Sequence, residues 1–227
     1  LFMTSLPLLD FDQDAQFADL VLTQDFQFRL SQVLPSHLLQ QRWFTSKVKP
    51  IDQVHITHAF PLTELTAIIL IGVLFKDGSK EYYQLPIAWN FEPEWIDDLQ
   101  NFNRHLAIAQ IGSPPKVIIS DAINRASFRR ALFQKLILPN NNTTYGLHSD
   151  KGELLNLVDP ENIQSTVPHF DTTNTAIIYN EQYFFKLFRK LDEGLNPDLE
   201  LVRFLSEKTT FKNSPRYGGS LSAGPLS

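Results

Sequence analysis

The 227-residue sequence contains no cysteine. That excludes disulfides, thiolate nucleophiles and cysteine-ligated zinc, and it leaves the redox compartment unmarked. No apolar run reaches the roughly 18 residues that a membrane-spanning helix needs. The longest run, Ala67 to Phe75, is strand-sized. The opening Leu1-Phe2-Met3 has no basic stretch leading into a long apolar core, so no signal peptide is expected. A cytoplasmic protein without membrane contact is the default expectation. Basic excess is also missing: the net charge is −5, which argues against a broad nucleic-acid footprint. Neither a Walker-type glycine loop nor G-x-G-x-x-G occurs. What remains is an ordinary globular composition, 43% hydrophobic with 18 phenylalanines to fill a core.

Elements follow from periodicity. Phe26, Leu30, Val33 and Leu34 have helical spacing, and Pro35 is expected to end or redirect that helix. Val54–Phe60, Thr66–Phe75 and Glu81–Trp89 read as strands, with Asp77-Gly78 as the turn between the second and third. Trp95–Leu106 and Ala122–Leu136 read as helices, the latter capped by Asp121. Short strands then return at 146–149, 154–158, 163–170, 176–180 and 183–189, followed by a helix over Asn196–Lys208. The tail from Asn213 is rich in Gly, Ser and Pro and offers little core. The predicted organisation is a small sheet with helices over 1–100, a helical joint over 101–142, and a mostly antiparallel sheet with one helix over 143–227.

The strongest chemical signal is Tyr183–Leu205. Lys186 sits inside an apolar strand, sharing a face with Phe184 and Phe188, while Tyr183, Phe185 and Leu187 take the other. Both faces being apolar, the strand is expected to be largely covered. A desolvated ammonium then needs a carboxylate or phosphate. Asn196 is a good N-cap, Pro197 suits the first helical position, and Asp198 and Glu200 complement the helix dipole. The short turn at Asp192-Glu193-Gly194 keeps strand and helix adjacent, so a Lys186–Glu200 contact is expected. The plainer alternative is a snorkelling lysine and a dipole-complementing glutamate.

Other segments are weaker. Thr172, Thr173, Asn174 and Thr175 form a small-polar turn before the Lys186 strand, able to cup phosphate oxygens or to be a plain turn. Arg42, Trp43 and Lys47, in QRWFTSKVK, are candidates for contact with an anion or a partner. The alternative there is an aromatic anchor with solvated cations around it. His55 and His58 fall on opposite faces of a strand, poor geometry for a metal. His148-Ser149-Asp150 lacks the glycines of a nucleophile elbow.

Two longer blocks carry a resemblance. QRWFTSKVKPI resembles the QRWF-G-K signature that opens the cap of bacterial maltokinases, some of which are fused to trehalose synthase. TTNTAIIYNEQYFFKLFRKLDEGLNPDLELVRFLSE resembles that family's SNTS-strand-LKLFR-G-NPDLE-RFL block, and LPIAW and Asp121-Ala122 also fit. The resemblance implies an α+β protein. An antiparallel-sheet cap domain would be followed by a protein-kinase-like (aminoglycoside phosphotransferase-like) N-lobe. It implies ATP-dependent phosphorylation of maltose to maltose 1-phosphate, with Mg²⁺, feeding α-glucan synthesis from trehalose. Lys186 would contact the ATP phosphates, Glu200 would orient Lys186, and Thr172–Thr175 would replace the phosphate-covering loop.

Two departures accompany it. Thr45, Ser46 and Val48 occupy the stretch where the family has glycine. No H-x-D catalytic loop or later D-F-E/G-like metal site follows Lys186, so the C-lobe is expected to be absent, with the catalytic residues and Mg²⁺ ligands outside these 227 residues. The chain alone is therefore expected to be inactive. Alternative readings are a capped kinase of another sugar, such as glucosamine, and a non-catalytic module docking trehalose synthase or another domain.

Overall fold

The computed structural model describes residues 5–138, 146–168 and 173–224. Its largest sheet is antiparallel and is built from β1 (Ile51–Thr63), β2 (Thr66–Phe75), β3 (Lys80–Asn90), β4 (Ala107–Ile111) and β5 (Val117–Asp121), in the order β1-β2-β3-β5-β4. β2 is its hydrophobic spine. Ala67, Ile69, Ile71, Val73 and Phe75 face one cluster, while Ile68 and Leu70 face another. Period-two alternation with both faces apolar is what a strand covered on both sides requires. Gly78 closes the β2–β3 hairpin with φ of +82°, the left-handed conformation that glycine adopts without a Cβ clash.

On one face lie α1 (Phe17–Leu20) and α2 (Gln24–Gln40), delivering Phe17, Phe26, Leu30, Leu34 and Leu38. Thr23 caps α2 by accepting from Phe26 N. Pro35 does not end α2 as the sequence led us to expect; the helix continues to Gln40. Burial of Leu38 beyond the proline, beside Leu34, supplies tertiary gain that offsets the lost backbone hydrogen bond.

The other face is covered from the second half of the chain. α4 (Ala126–Ile137) contributes Phe128, Leu132, Phe133 and Leu136. A three-stranded antiparallel sheet, β7 (Ser165–Thr166), β8 (Thr175–Tyr179) and β9 (Tyr183–Leu187), adds Ile177, Tyr179 and Leu187. β10 (Lys190–Leu191) then leaves that small sheet and pairs with Tyr83 and Tyr82 of β3. Thus β3 is shared along one edge by β5 at its C-terminal half and by β10 at its N-terminal half. The remaining elements are α3 (Pro93–Asn101), β6 (Leu147–Lys151), α5 (Pro197–Lys208) and β11 (Gly219–Ala223), with β11 pairing β6.

The architecture is α+β with antiparallel sheets, and among the described residues no helix is long and apolar enough to cross a membrane. Several expectations change. The joint over 101–142 is not simply helical, because β4 and β5 lie in it and extend the main sheet to Asp121. AIAQI and VIISD are short apolar runs around the turn at Gly112, and pairing with Pro7–Leu9 and β3 stabilises them as strands. Asp121 ends β5 instead of capping α4, whose N-cap is Arg125. Residues 153–155 form a 3-10 turn where a strand was predicted. The Gly/Ser-rich tail is not bare, since it supplies β11 and the buried Tyr217.

Candidate functional site

Lys186 stands on β9 directly across from Ala176 of β8, one residue past the Thr173–Thr175 turn. The strand is covered on one side only. Leu187 is buried, Tyr183 and Phe185 pack against the core, and Phe184 is 62% exposed. The expectation of a fully covered strand is therefore corrected: the Phe184–Lys186 face is open, and the lysine side chain is 38% exposed. Its ammonium bonds Asp198 Oδ2 at 2.5 Å and lies 4.8 Å over the Phe188 ring.

The expected Lys186–Glu200 contact is also corrected. The acidic partner is Asp198, on the first turn of α5, while the Glu200 side chain is exposed. The carboxylate two residues nearer the N-terminus takes the lysine because the Asn196 cap sets the start of α5 close to β9. Asn196 Oδ1 accepts from the N–H groups of Asp198 (3.0 Å) and Leu199 (3.4 Å). No residue of α5 is buried, so the helix is held here by its cap and by polar contacts. One of these is the Arg203–Asp150 pair at 2.7 Å.

The turn next to Lys186 leads into a second, buried constellation. Arg189, 1% exposed, donates from Nε to Thr175 Oγ1 at 2.8 Å. Its Nη2 lies 2.8 Å from Asp121 Oδ2, in an ion pair whose two side chains are almost fully buried. The N–H is not directed along that oxygen, so charge holds the contact more than an aligned hydrogen bond does. Asp121 Oδ1 accepts from Ile123 N at 2.9 Å. The guanidinium also lies 5.0 Å from the centroid of the Trp43 ring. The backbone is pinned as well: Gln84 N donates to Arg189 O (2.8 Å) and Gln84 Nε2 to Phe188 O (2.6 Å). Nearby, burial lowers the His37 imidazole from 6.5 to about 4; the Asp121 carboxylate and the Ala107 backbone push the other way and are outweighed.

Trp43 is thus not an exposed contact for a partner. It is buried against Tyr83, with Arg189 over its ring. This is the aromatic-anchor alternative, and it removes Trp43 from the Arg42–Trp43–Lys47 contact surface. Arg42 and Lys47 flank it on exposed backbone. Thr173, Asn174 and Thr175 are at the mouth of β8, and Thr172 lies outside the described residues. The sequence reading passed over Arg189 and Asp121 as partners. A signal was present in retrospect: an arginine closing an apolar strand must find a counter-charge. Its partners, though, come from positions 43, 121 and 175, and only the fold brings them together.

A second arginine ties α4 to the small sheet. Arg129 donates from Nε to Ser165 Oγ (2.8 Å) and from Nη1 to Ile123 O (2.8 Å), and its own carbonyl accepts from Tyr179 Oη (2.8 Å). No group of three His, Asp or Glu side chains suited to a metal occurs among the described residues, and His55 and His58 form none. A shallow cleft of about 360 Å³ opens between the β2–β3 turn and β10, lined by Lys49, Lys80, Glu81 and Lys190 among others. Glu81, Asp192 and Glu193 balance its three lysines, and Glu81 bonds Lys190 at 3.0 Å, Ser46 at 2.7 Å and Tyr83 Oη at 2.5 Å.

A family model for the maltokinase N-terminal cap domain matches residues 37–122. The match begins within α2, contains β1–β5 of the main sheet and ends one residue past Asp121. Two members of the buried constellation, Trp43 and Asp121, lie inside it; Thr175 and Arg189 lie beyond it.

Proposed function

We propose that this chain is the cap and nucleotide-gripping portion of an ATP-dependent maltokinase, which makes maltose 1-phosphate and ADP from maltose and ATP. The match of residues 37–122 to the maltokinase cap is the observation that carries the reading. The small sheet that follows supports it. β7, β8 and β9 are three consecutive antiparallel strands with a lysine on the third and, after β10, an acid-bearing helix. A kinase-like N-lobe has the same order: a lysine on the third strand, and then a helix supplying a carboxylate.

The residues present fit a nucleoside triphosphate. Lys186 is exposed enough to reach a ligand, and it sits beside a turn of small polar side chains. In this reading Lys186 holds the α/β-phosphates, backbone N–H groups and hydroxyls of Thr172–Thr175 meet phosphate oxygens, and Asp198 orients the lysine. Bound ATP supplies the transferable phosphoryl group. These residues contribute position and positive charge, which is most of what phosphoryl transfer asks of a protein. Mg²⁺ ligands and the catalytic base belong to residues outside this chain.

Trehalose synthase, fused or docked, is the partner this reading suggests; exposed Lys47 belongs to the surface that would meet it. The test is turnover. A protein carrying this chain with a C-lobe should phosphorylate maltose in preference to glucosamine and other sugars, and Lys186→Ala should abolish it. The 227 residues alone should show none. Robust turnover by the Lys186→Ala protein would remove the lysine from the site, and preference for another sugar would replace the acceptor.

A further inference from the structure

Arg189 is a buried cation whose contacts reach two parts of the molecule at once. Asp121 and Trp43 belong to the main sheet and the segment packed on it. Thr175 is the first residue of β8, paired with Leu187 of β9 and next to the cross-strand partner of Lys186, and Thr173 and Asn174 lead into it. A desolvated guanidinium is fixed where its charge is balanced, here at Asp121, and its planar donors then dictate where an acceptor must lie. The Nε–H has one such acceptor, the Thr175 hydroxyl at 2.8 Å. Backbone bonds from Gln84 hold the chain on either side of the guanidinium's own Cα, so the arginine has little freedom to follow a moving turn.

We propose that Arg189 is a positioning residue that locks the start of β8 at Thr175, and with it the turn at Thr173 and Asn174, to the cap, so that cap and turn form one unit. This rests on the nucleotide reading above only for what the turn then holds. The cap is thereby an integral part of the turn's geometry, and a disturbance at Trp43 or Asp121 is felt at Thr175. Trp43, Asp121, Thr175 and Arg189 are far apart in sequence and act as one joint.

The test uses the full 227-residue chain and three variants. Thr175→Val removes only the acceptor, Thr175→Ser keeps it, and Arg189→Lys keeps the charge but loses the Nε donor. Amide hydrogen exchange is measured across the turn (173–176) and in β2. Thr175→Val should speed exchange in the turn about tenfold and leave Ile69, Ile71 and Val73 unchanged. Thr175→Ser should restore the wild-type rate, which general loosening from a smaller side chain would not do. Arg189→Lys should resemble Thr175→Val in the turn. Turn exchange unaltered in Thr175→Val, or equally fast in Thr175→Ser, overturns the proposal. ATP is then titrated into wild type and Thr175→Val. An affinity about fivefold weaker in the valine variant extends the lock to nucleotide binding. Equal affinity, or no binding to either protein, counts against the nucleotide reading of the turn, while the exchange data still decide the lock.

Discussion

Acid should weaken this fold through one histidine. His37 is buried on α2, and its Nε2 has no hydrogen-bond acceptor among the described residues. Burial lowers it from 6.5 to about 4, so the folded chain refuses a proton that the unfolded chain accepts. The folded pKa is the depressed one. The contribution to stability is therefore complete above about pH 6.5 and is lost as pH falls toward 4. In that window the loss runs at about 1.36 kcal/mol per pH unit, or ~3 kcal/mol across it. Urea unfolding at a series of pH values from 7.5 to about 4 reads this directly. Carboxylates such as Glu81 and Glu92, held low despite burial chiefly by hydrogen bonds from Tyr83 and Arg125 respectively, also titrate toward the acid end. His37→Leu isolates the histidine from them. The leucine variant should stay close to wild type at pH 7, because Nε2 has no partner and the Gln41 amide that meets Nδ1 at 3.4 Å keeps the His37 and His105 carbonyls, and its acid limb should be flatter by ~3 kcal/mol. Parallel limbs for the two proteins would refute the assignment of this loss to His37.

Three further outcomes follow from the same contacts. Arg189→Met leaves Asp121 as a buried, uncompensated charge and should cost roughly 3–5 kcal/mol in urea unfolding; adding Asp121→Leu should recover much of it, and additive losses would show the two are not coupled. Asn196→Ala deletes the cap that receives two N–H groups and should cost about 1 kcal/mol, with helix loss visible by circular dichroism. Lys186→Ala breaks an ion pair between exposed side chains and should change stability by less than about 1 kcal/mol, so a lost function in that variant is not a lost fold.

Much of the main sheet was legible because its signals are local. Ala67–Phe75 is apolar on both faces, and Asp77-Gly78 fixes its hairpin. Asn196-Pro197 marked the start of α5 to the residue. β4 and β5 were not legible, being five residues each and stabilised mainly by neighbours far away in sequence. Pro35 misled for the same reason: tertiary burial beyond it outweighs its local penalty. At the site, Lys186 was conspicuous and its partner helix was identified. The choice of Asp198 over Glu200 depends on how the start of α5 is placed against Lys186, which spacing does not encode. Arg189 was obscured by its neighbour, since a lysine in a strand draws attention that the arginine three residues later equally warranted.

The central claim is that Lys186 and the adjoining turn grip nucleotide phosphates, and the most direct measurement is calorimetric titration of ATP into the 227-residue chain and its Lys186→Ala variant. Binding by the wild type that weakens about tenfold or more in the variant, with unfolding curves that coincide, is the predicted result. Equal ATP affinity in the two proteins, or no binding by either at millimolar ATP, would contradict it.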